Sequence, residues 1–222
     1  MGETATDWEG VALSLLRETG LDDPPQDAFA LAHACGLQLV AGGRQHGCLG
    51  ADGRLHYPGS VRRTRQHGVI SHELGHWALR WAGEADGEVA ASYVGGALML
   101  PRRAFDRDLA TTGWDLEQLR AKHINCSAEM IARRLVQLRD AVASIFDGGR
   151  LRLRVASPWL GDRYKRVSAW ERELVDECMQ TGERQGDGLT SAWPVFDGDH
   201  RRVVLLAETE QLSLRLQAAS RA

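Results

Sequence analysis

Apolar residues recur at helical spacing through most of the chain and alternate with polar ones in a few short stretches, so the pattern predicts helices with a minority of strands. From Asp7 to Thr19, Val11, Leu13, Leu15 and Leu16 supply the apolar faces of an amphipathic helix, with Asp7 as N-cap and Gly20 at its C-terminus. Asp22-Asp23-Pro24-Pro25 breaks the chain and starts a second helix through Phe29, Leu31 and Ala32, and Leu37-Gln38-Leu39-Val40 follows as a strand. Ala41 to Gly53 is a glycine-rich loop. Gly53 to Pro58 alternates Leu55 and Tyr57 with polar residues and predicts a half-exposed edge strand, ended by Pro58-Gly59.

Ile70, Leu74, Trp77, Ala78 and Trp81 return at helical spacing and predict a further helix. Its interior Gly75 costs about 1 kcal/mol against alanine, which predicts close packing against another element. Gly83 to Gly87 is a short acidic turn, and Glu88 to Leu100 is a strongly apolar helix closed by Pro101. Helices follow at Phe105 to Leu109, Leu116 to Lys122 and Ser127 to Val142, the last with Ser127 as N-cap and Ile131, Leu135 and Leu138 facing a core. The composition shifts at Asp147-Gly148-Gly149. Beyond it Leu151 to Val155 alternates with arginine as a strand, Ser168 to Met179 reads as a helix, and Ala192 to Phe196 and Arg202 to Ala207 flank an Asp197-Gly198 turn as a hairpin. The expected class is α+β: a mostly helical domain with a small N-terminal sheet over residues 1–146, then a small α/β unit over 147–222.

At 222 residues the chain can bury a core without staples. Cys35, Cys48, Cys126 and Cys178 are widely spaced, with no C-x-x-C pair and no leader-like N-terminus, which predicts reduced thiols and a cytoplasmic location. The longest apolar stretch, Val94 to Leu100, is far short of the roughly 20 residues a membrane helix needs. A formal charge of -3 argues against a generally basic nucleic-acid binder.

The chemistry lies in Val69-Ile70-Ser71-His72-Glu73-Leu74-Gly75-His76-Trp77, which carries H-E-x-x-H. Residues four apart on a helix lie one above the other, so His72 and His76 can present imidazole nitrogens to one zinc ion, leaving Glu73 beside it as general base. A catalytic zinc needs a third protein ligand and one open position. The residues after His76 lack the Gly and His of the metzincin continuation, so a glutamate on a following helix is expected, with Glu84, Asp86 and Glu88 as candidates. Of these, Glu88 opens the apolar helix.

These residues resemble the ImmA/IrrE family of metallopeptidases. The likeness rests on Pro24-Pro25-Gln26-Asp27 through Gly36-Leu37, on His67 to His76, on Glu88 through Ala97-Leu98-Met99-Leu100-Pro101, and more weakly on Cys126 to Leu135. In that family a glutamate stands thirteen residues before the proline of a Leu-Leu-Met-Pro-like motif. Glu88 holds that place before Pro101, so the resemblance implies a zincin-like, gluzincin-like site with His72, His76 and Glu88 on Zn2+ and Glu73 as catalytic base. The chain departs from the family in having Ser92 where asparagine is frequent, and Val94 and Gly95 where phenylalanine and alanine are. Ser92 lies one turn beyond Glu88, where its hydroxyl can support a ligand.

Resemblance further implies a zinc endopeptidase that cuts a helix-turn-helix repressor in a stress, mobile-element or phage-defence response. Tyr57 and Tyr93, with His67 and His123, are candidate oxyanion stabilisers by chemistry. Cys48 is the most loop-like thiol and a candidate for capping the open zinc position. In the tail, Arg152 and Arg154 among further basic residues near Trp159 and Tyr164 suit single-stranded nucleic acid, a candidate activating signal; a solvated strand face is the competing reading. A non-catalytic zinc-containing regulator that binds a transcription factor or nucleic acid is the alternative function.

Overall fold

The computed structural model describes residues 7–21, 26–42, 46–187, 190–197, 200–210 and 212–213. The Asp22-Asp23-Pro24-Pro25 break and the residues just after Asp197 in the expected hairpin turn lie outside this set. The chain is α+β and divides into two compact units, Met1–Met130 and Ile131–Ala222.

In the first unit, α1 (Trp8–Thr19) starts where Asp7 accepts a hydrogen bond from Gly10 N and ends at left-handed Gly20. Asp27 caps α2 (Ala28–Ala34) by accepting from Phe29 N and Ala30 N. Strands β1 (Gln38–Gly42), β2 (Cys48–Leu49) and β3 (Arg54–Pro58) form a sheet in the order β1-β3-β2, with β3 parallel to β1 and antiparallel to β2. The 53–58 segment expected at the sheet edge is therefore the central strand. Its alternation came from Leu55 facing the core, and β2, hidden in the glycine-rich loop, takes the edge. The helices α3 (Arg63–Trp81) and α4 (Glu88–Met99) pack against each other and against α1. Ile70, Leu74, Ala78 and Leu79 of α3 and Ala91, Val94, Ala97 and Leu98 of α4 are fully buried, as the apolar spacing requires. Then come α5 (Arg102–Thr112), α6 (Leu116–Lys122), which Asp115 caps, and the first turn of α7 (Ala128–Leu138), whose Met130 N donates to Ser127 Oγ at 3.1 Å and whose remaining residues belong to the second unit.

The second unit carries a five-stranded antiparallel sheet, β4 (Ala141–Asp147), β5 (Arg150–Ala156), β6 (Gln185–Asp187), β7 (Thr190–Asp197) and β8 (His200–Glu208), in the order β5-β4-β8-β7-β6. A 3-10 helix (Pro158–Tyr164) and α8 (Ala169–Thr181) join β5 to β6. Phe146, Ala192, Val203 and Leu205 form a core with Val175 and Cys178 of α8. Ser168 and Glu171 make a reciprocal capping box at the start of α8.

Two sequence expectations change here. The helix drawn to Val142 stops at Leu138, and Ala141–Asp147 is a strand. β4 is hydrogen-bonded on both sides and buried from Ala141 to Phe146, so it has no polar alternation to separate it from a helical core segment. The glycines at 148–149, expected to begin a new domain after 146, are the positive-φ turn between β4 and β5. The compact units divide instead within α7.

Candidate metal centre

α3 and α4 build one cluster. His72 and His76 stand a turn apart with rings edge to face, which brings their Nε2 atoms to 3.3 Å. Glu88, the first residue of α4, places Oε2 3.2 Å from His72 Nε2 and Oε1 3.6 Å from His76 Nε2. A tetrahedral zinc with bonds of about 2.0 to 2.1 Å spaces its ligand atoms roughly 3.3 to 3.4 Å apart. Two imidazoles and a carboxylate, converging at that spacing, fit zinc in chemistry and in size and leave a fourth position open.

The outer ring nitrogens are also engaged. His76 Nδ1 is hydrogen-bonded to Asp86 Oδ1, whose other oxygen lies 3.4 Å from Arg80 Nη1. His72 Nδ1 lies 3.3 Å from Ser92 Oγ, so the serine that replaces the family's asparagine meets a cluster histidine. With Nδ1–H donated to Asp86, His76 turns its Nε2 lone pair inward, which is the tautomer a metal requires. Asp86, weighed above as a rival ligand, thus backs a histidine. Its acidic-turn setting gave no sign of this.

Glycines bring the helices together. A Cβ on Gly75 would stand 2.9 Å from the Ala91 carbonyl carbon and closer still to its oxygen, and one on Gly95 would stand 2.9 Å from the Ser71 carbonyl carbon and 3.2 Å from His72 Cα. Backbone-to-backbone approach at this crossing carries Glu88 to the histidines, and it explains the Gly75 that helix propensity disfavours.

Glu73, next to His72, is covered from the sheet side. A Cβ on Gly47, just before β2, would lie 2.6 Å from Val69 Cγ1 and 2.7 Å from Glu73 Oε1. The chain entering the edge strand thus passes directly against the Glu73 carboxylate. Sequence reasoning missed Gly47; a glycine beside a short strand was the available signal for a close backbone approach.

Other expected residues fall elsewhere. Tyr93 turns towards α1, with its ring 5.5 Å from Trp8 and its hydroxyl donating to Glu9 at 3.3 Å, which removes it as an oxyanion partner. Tyr57 packs edge-on against Phe29. His67 is buried, with Nδ1 accepting from Ala28 N, and His123 is buried against Phe105 with Nε2 3.1 Å from Asp108. Cys48 is the exposed cysteine, and the cluster found among the described residues does not include it. Burial pushes the Cys35 and Cys178 thiols up to about 11 and Cys126 up to about 12, so these three stay protonated and serve packing.

In the second unit Arg154 is not a surface contact. It pairs with Glu171 at 3.0 Å, donates to Ser144 Oγ and Tyr164 O, and its side chain is 5% exposed. Strand alternation turned it inward, where a carboxylate awaited it. Arg152 stays half-exposed, 3.9 Å from Asp147.

Among described residues no helix is long and apolar enough to cross a membrane. No curated protein matches the chain. Among solved structures, a Mycobacterium tuberculosis transcriptional regulator superposes with a TM-score of 0.65 at 15% identity, over 91% of this chain and 76% of that one, a likeness of fold. A family model described as the IrrE N-terminal-like domain matches residues 42–136, which span the metal cluster, Gly47 and the Pro101 motif but begin after the 24–37 segment. Over residues 42–136 the chain is thus similar to the IrrE N-terminal-like domain, which supports the ImmA/IrrE resemblance and, with it, a zinc-dependent peptidase family.

Proposed function

We propose that the protein is a zinc-dependent endopeptidase that cleaves a specific protein, a helix-turn-helix transcriptional repressor, to switch on a stress, mobile-element or phage-defence response. The carrying observation is the convergence of His72, His76 and Glu88 at zinc spacing with Glu73 on the same helix. A bound zinc ion would polarise the scissile carbonyl and make the attacking water more acidic. Glu73 takes the proton from that water and returns it to the leaving amine as the peptide bond breaks. Asp86 and Ser92 hold the imidazoles in register. The outer edge of β2 suits an extended substrate strand, because the chain leading into it runs against Glu73. In this reading the second unit senses the activating signal, with single-stranded nucleic acid the candidate and Arg152 the remaining contact.

The test mixes the purified protein, or its Glu73→Gln variant, with zinc and a helix-turn-helix repressor encoded beside it, with and without single-stranded DNA. Mass spectrometry then follows the fragments. Cleavage by the wild type alone, abolished by a chelator, is expected; an intact repressor in every condition despite bound zinc would sink the reading.

The structural neighbour, a transcriptional regulator, favours a second reading, in which the zinc-containing fold binds a transcription factor without cutting it. There Glu73→Gln would leave activity in cells intact.

A further inference from the structure

Glu73, Trp77 and Trp81 recur every fourth residue on α3, so they form one stripe that drifts about 40° per step around the helix. Gly47 closes the stripe at its N-terminal end, over Val69 and Glu73. Towards its C-terminal end the Trp77 and Trp81 rings stack 6.3 Å apart with planes 11° from parallel, and Trp81 is 47% exposed. An indole left this open at the end of a helix that carries the general base is a flat apolar platform.

Resting on the peptidase reading, we infer that Trp77 and Trp81 select a large apolar side chain of the substrate. Along α3, Trp77 and Trp81 lie roughly 6 and 12 Å from Glu73 at about 1.5 Å per residue. An extended peptide advances about 3.3 Å per residue, so the selected side chain sits roughly two to four residues from the cleaved bond. These are specificity residues: they hold substrate and take no part in proton transfer.

The experiment selects a displayed library of random peptides on the zinc-loaded Glu73→Gln protein, with and without Trp81→Ala. Unchanged zinc stoichiometry verifies that the Trp81 variant is folded. Enrichment of Trp, Phe, Leu or Met at one position is expected in the parent and lost in the variant. A selected peptide should bind Trp81→Ala roughly ten- to a hundredfold more weakly. Replacing its enriched residue by alanine should weaken binding to the parent similarly and to the variant hardly at all. Absence of binding, absence of enrichment, or an unaltered profile in Trp81→Ala overturns the inference. Wild-type protein tested on the selected peptides separates the two ideas: apolar enrichment without cleavage leaves the platform standing and counts against the peptidase. Cleavage with no apolar preference does the reverse.

Discussion

Gly75 of α3 lies so near Ala91 of α4 that a Cβ on the glycine would stand 2.9 Å from the Ala91 carbonyl carbon. The obstacle is backbone, which cannot swing aside as a side chain can. Gly75→Ala gains about 1 kcal/mol of helix propensity but overpacks the crossing at a cost of about 1 to 3 kcal/mol. The helices must separate, and Glu88 withdraws from His72 and His76. Lower thermal stability together with weaker zinc retention against a chelator is expected; a variant that gains stability and keeps its zinc would show that the crossing is not tight.

Through His76, Asp86 would act on a zinc ion bound at the cluster. Its carboxylate accepts from Nδ1, so Asp86→Asn leaves all three candidate ligands in place while weakening the partner that fixes the ring. Loss of such a partner costs about 10- to 100-fold in metal affinity. Competition with a zinc chelator should register that drop for Asp86→Asn and a smaller one for Ser92→Ala, whose contact is 3.3 Å. Equal affinity in wild type and Asp86→Asn would refute the role.

Gly47 controls Glu73 without touching the ligands. The added methyl of Gly47→Ala would meet Glu73 Oε1 at 2.7 Å and Val69 Cγ1 at 2.6 Å, so the carboxylate must shift. Misplacing a reacting group by about 1 Å can cost about 100-fold in rate. On any substrate the protein cuts, kcat should fall by about that factor while zinc content stays whole. Unchanged turnover would mean that Glu73 tolerates the crowding or is not the base.

Much of this was legible in the sequence. H-E-x-x-H marked two candidate ligands and a candidate base because helix geometry alone brings residues four apart together, and Gly75 announced a close crossing through its propensity cost. Glu88 needed the family spacing, since Glu84, Asp86 and Glu88 have similar chemistry and no local rule ranks them. β2 and Gly47 were hidden because a two-residue strand has no period to read. β4 was lost for the opposite reason, an apolar run buried on both faces. Tyr93 and Arg154 show a third limit: residue type suggested their roles, but the direction of the side chain depends on the fold.

Acid should weaken the fold through two histidines outside the cluster. Burial lowers the pKa of both His67 and His123, with Asp27 and Asp108 opposing. Unfolded histidine titrates near 6.5, so below that value the unfolded chain binds protons that the folded chain refuses. The full stability is present above about pH 6.5 and is lost as the pH falls from there through the lowered folded values. Zinc must be removed first, because protonation of metal ligands adds its own acid loss. Thermal unfolding of the chelated protein should show this limb. His67→Asn, which keeps an acceptor for Ala28 N–H, should make it shallower, and an identical slope in the variant would exclude His67 as a contributor.

The buried pair in the second unit makes the last prediction. Arg154 and Glu171 are 5% and 1% exposed, and Arg154 also serves Ser144 Oγ and the Tyr164 carbonyl, while Glu171 closes the capping box of α8. Removing one partner of a buried pair leaves a charge without compensation and costs about 3 to 5 kcal/mol, whereas replacing both by apolar groups of similar volume is often near neutral. Arg154→Met should therefore destabilise the protein by about that amount in denaturant titrations. Arg154→Met with Glu171→Met should recover part of the loss, short of the capping contribution that Glu171 also makes. A nucleic-acid contact behaves differently: it would lower salt-dependent DNA binding and leave the unfolding midpoint in place. Such an outcome would return Arg154 to the surface role that its position beside other arginines in the sequence suggested.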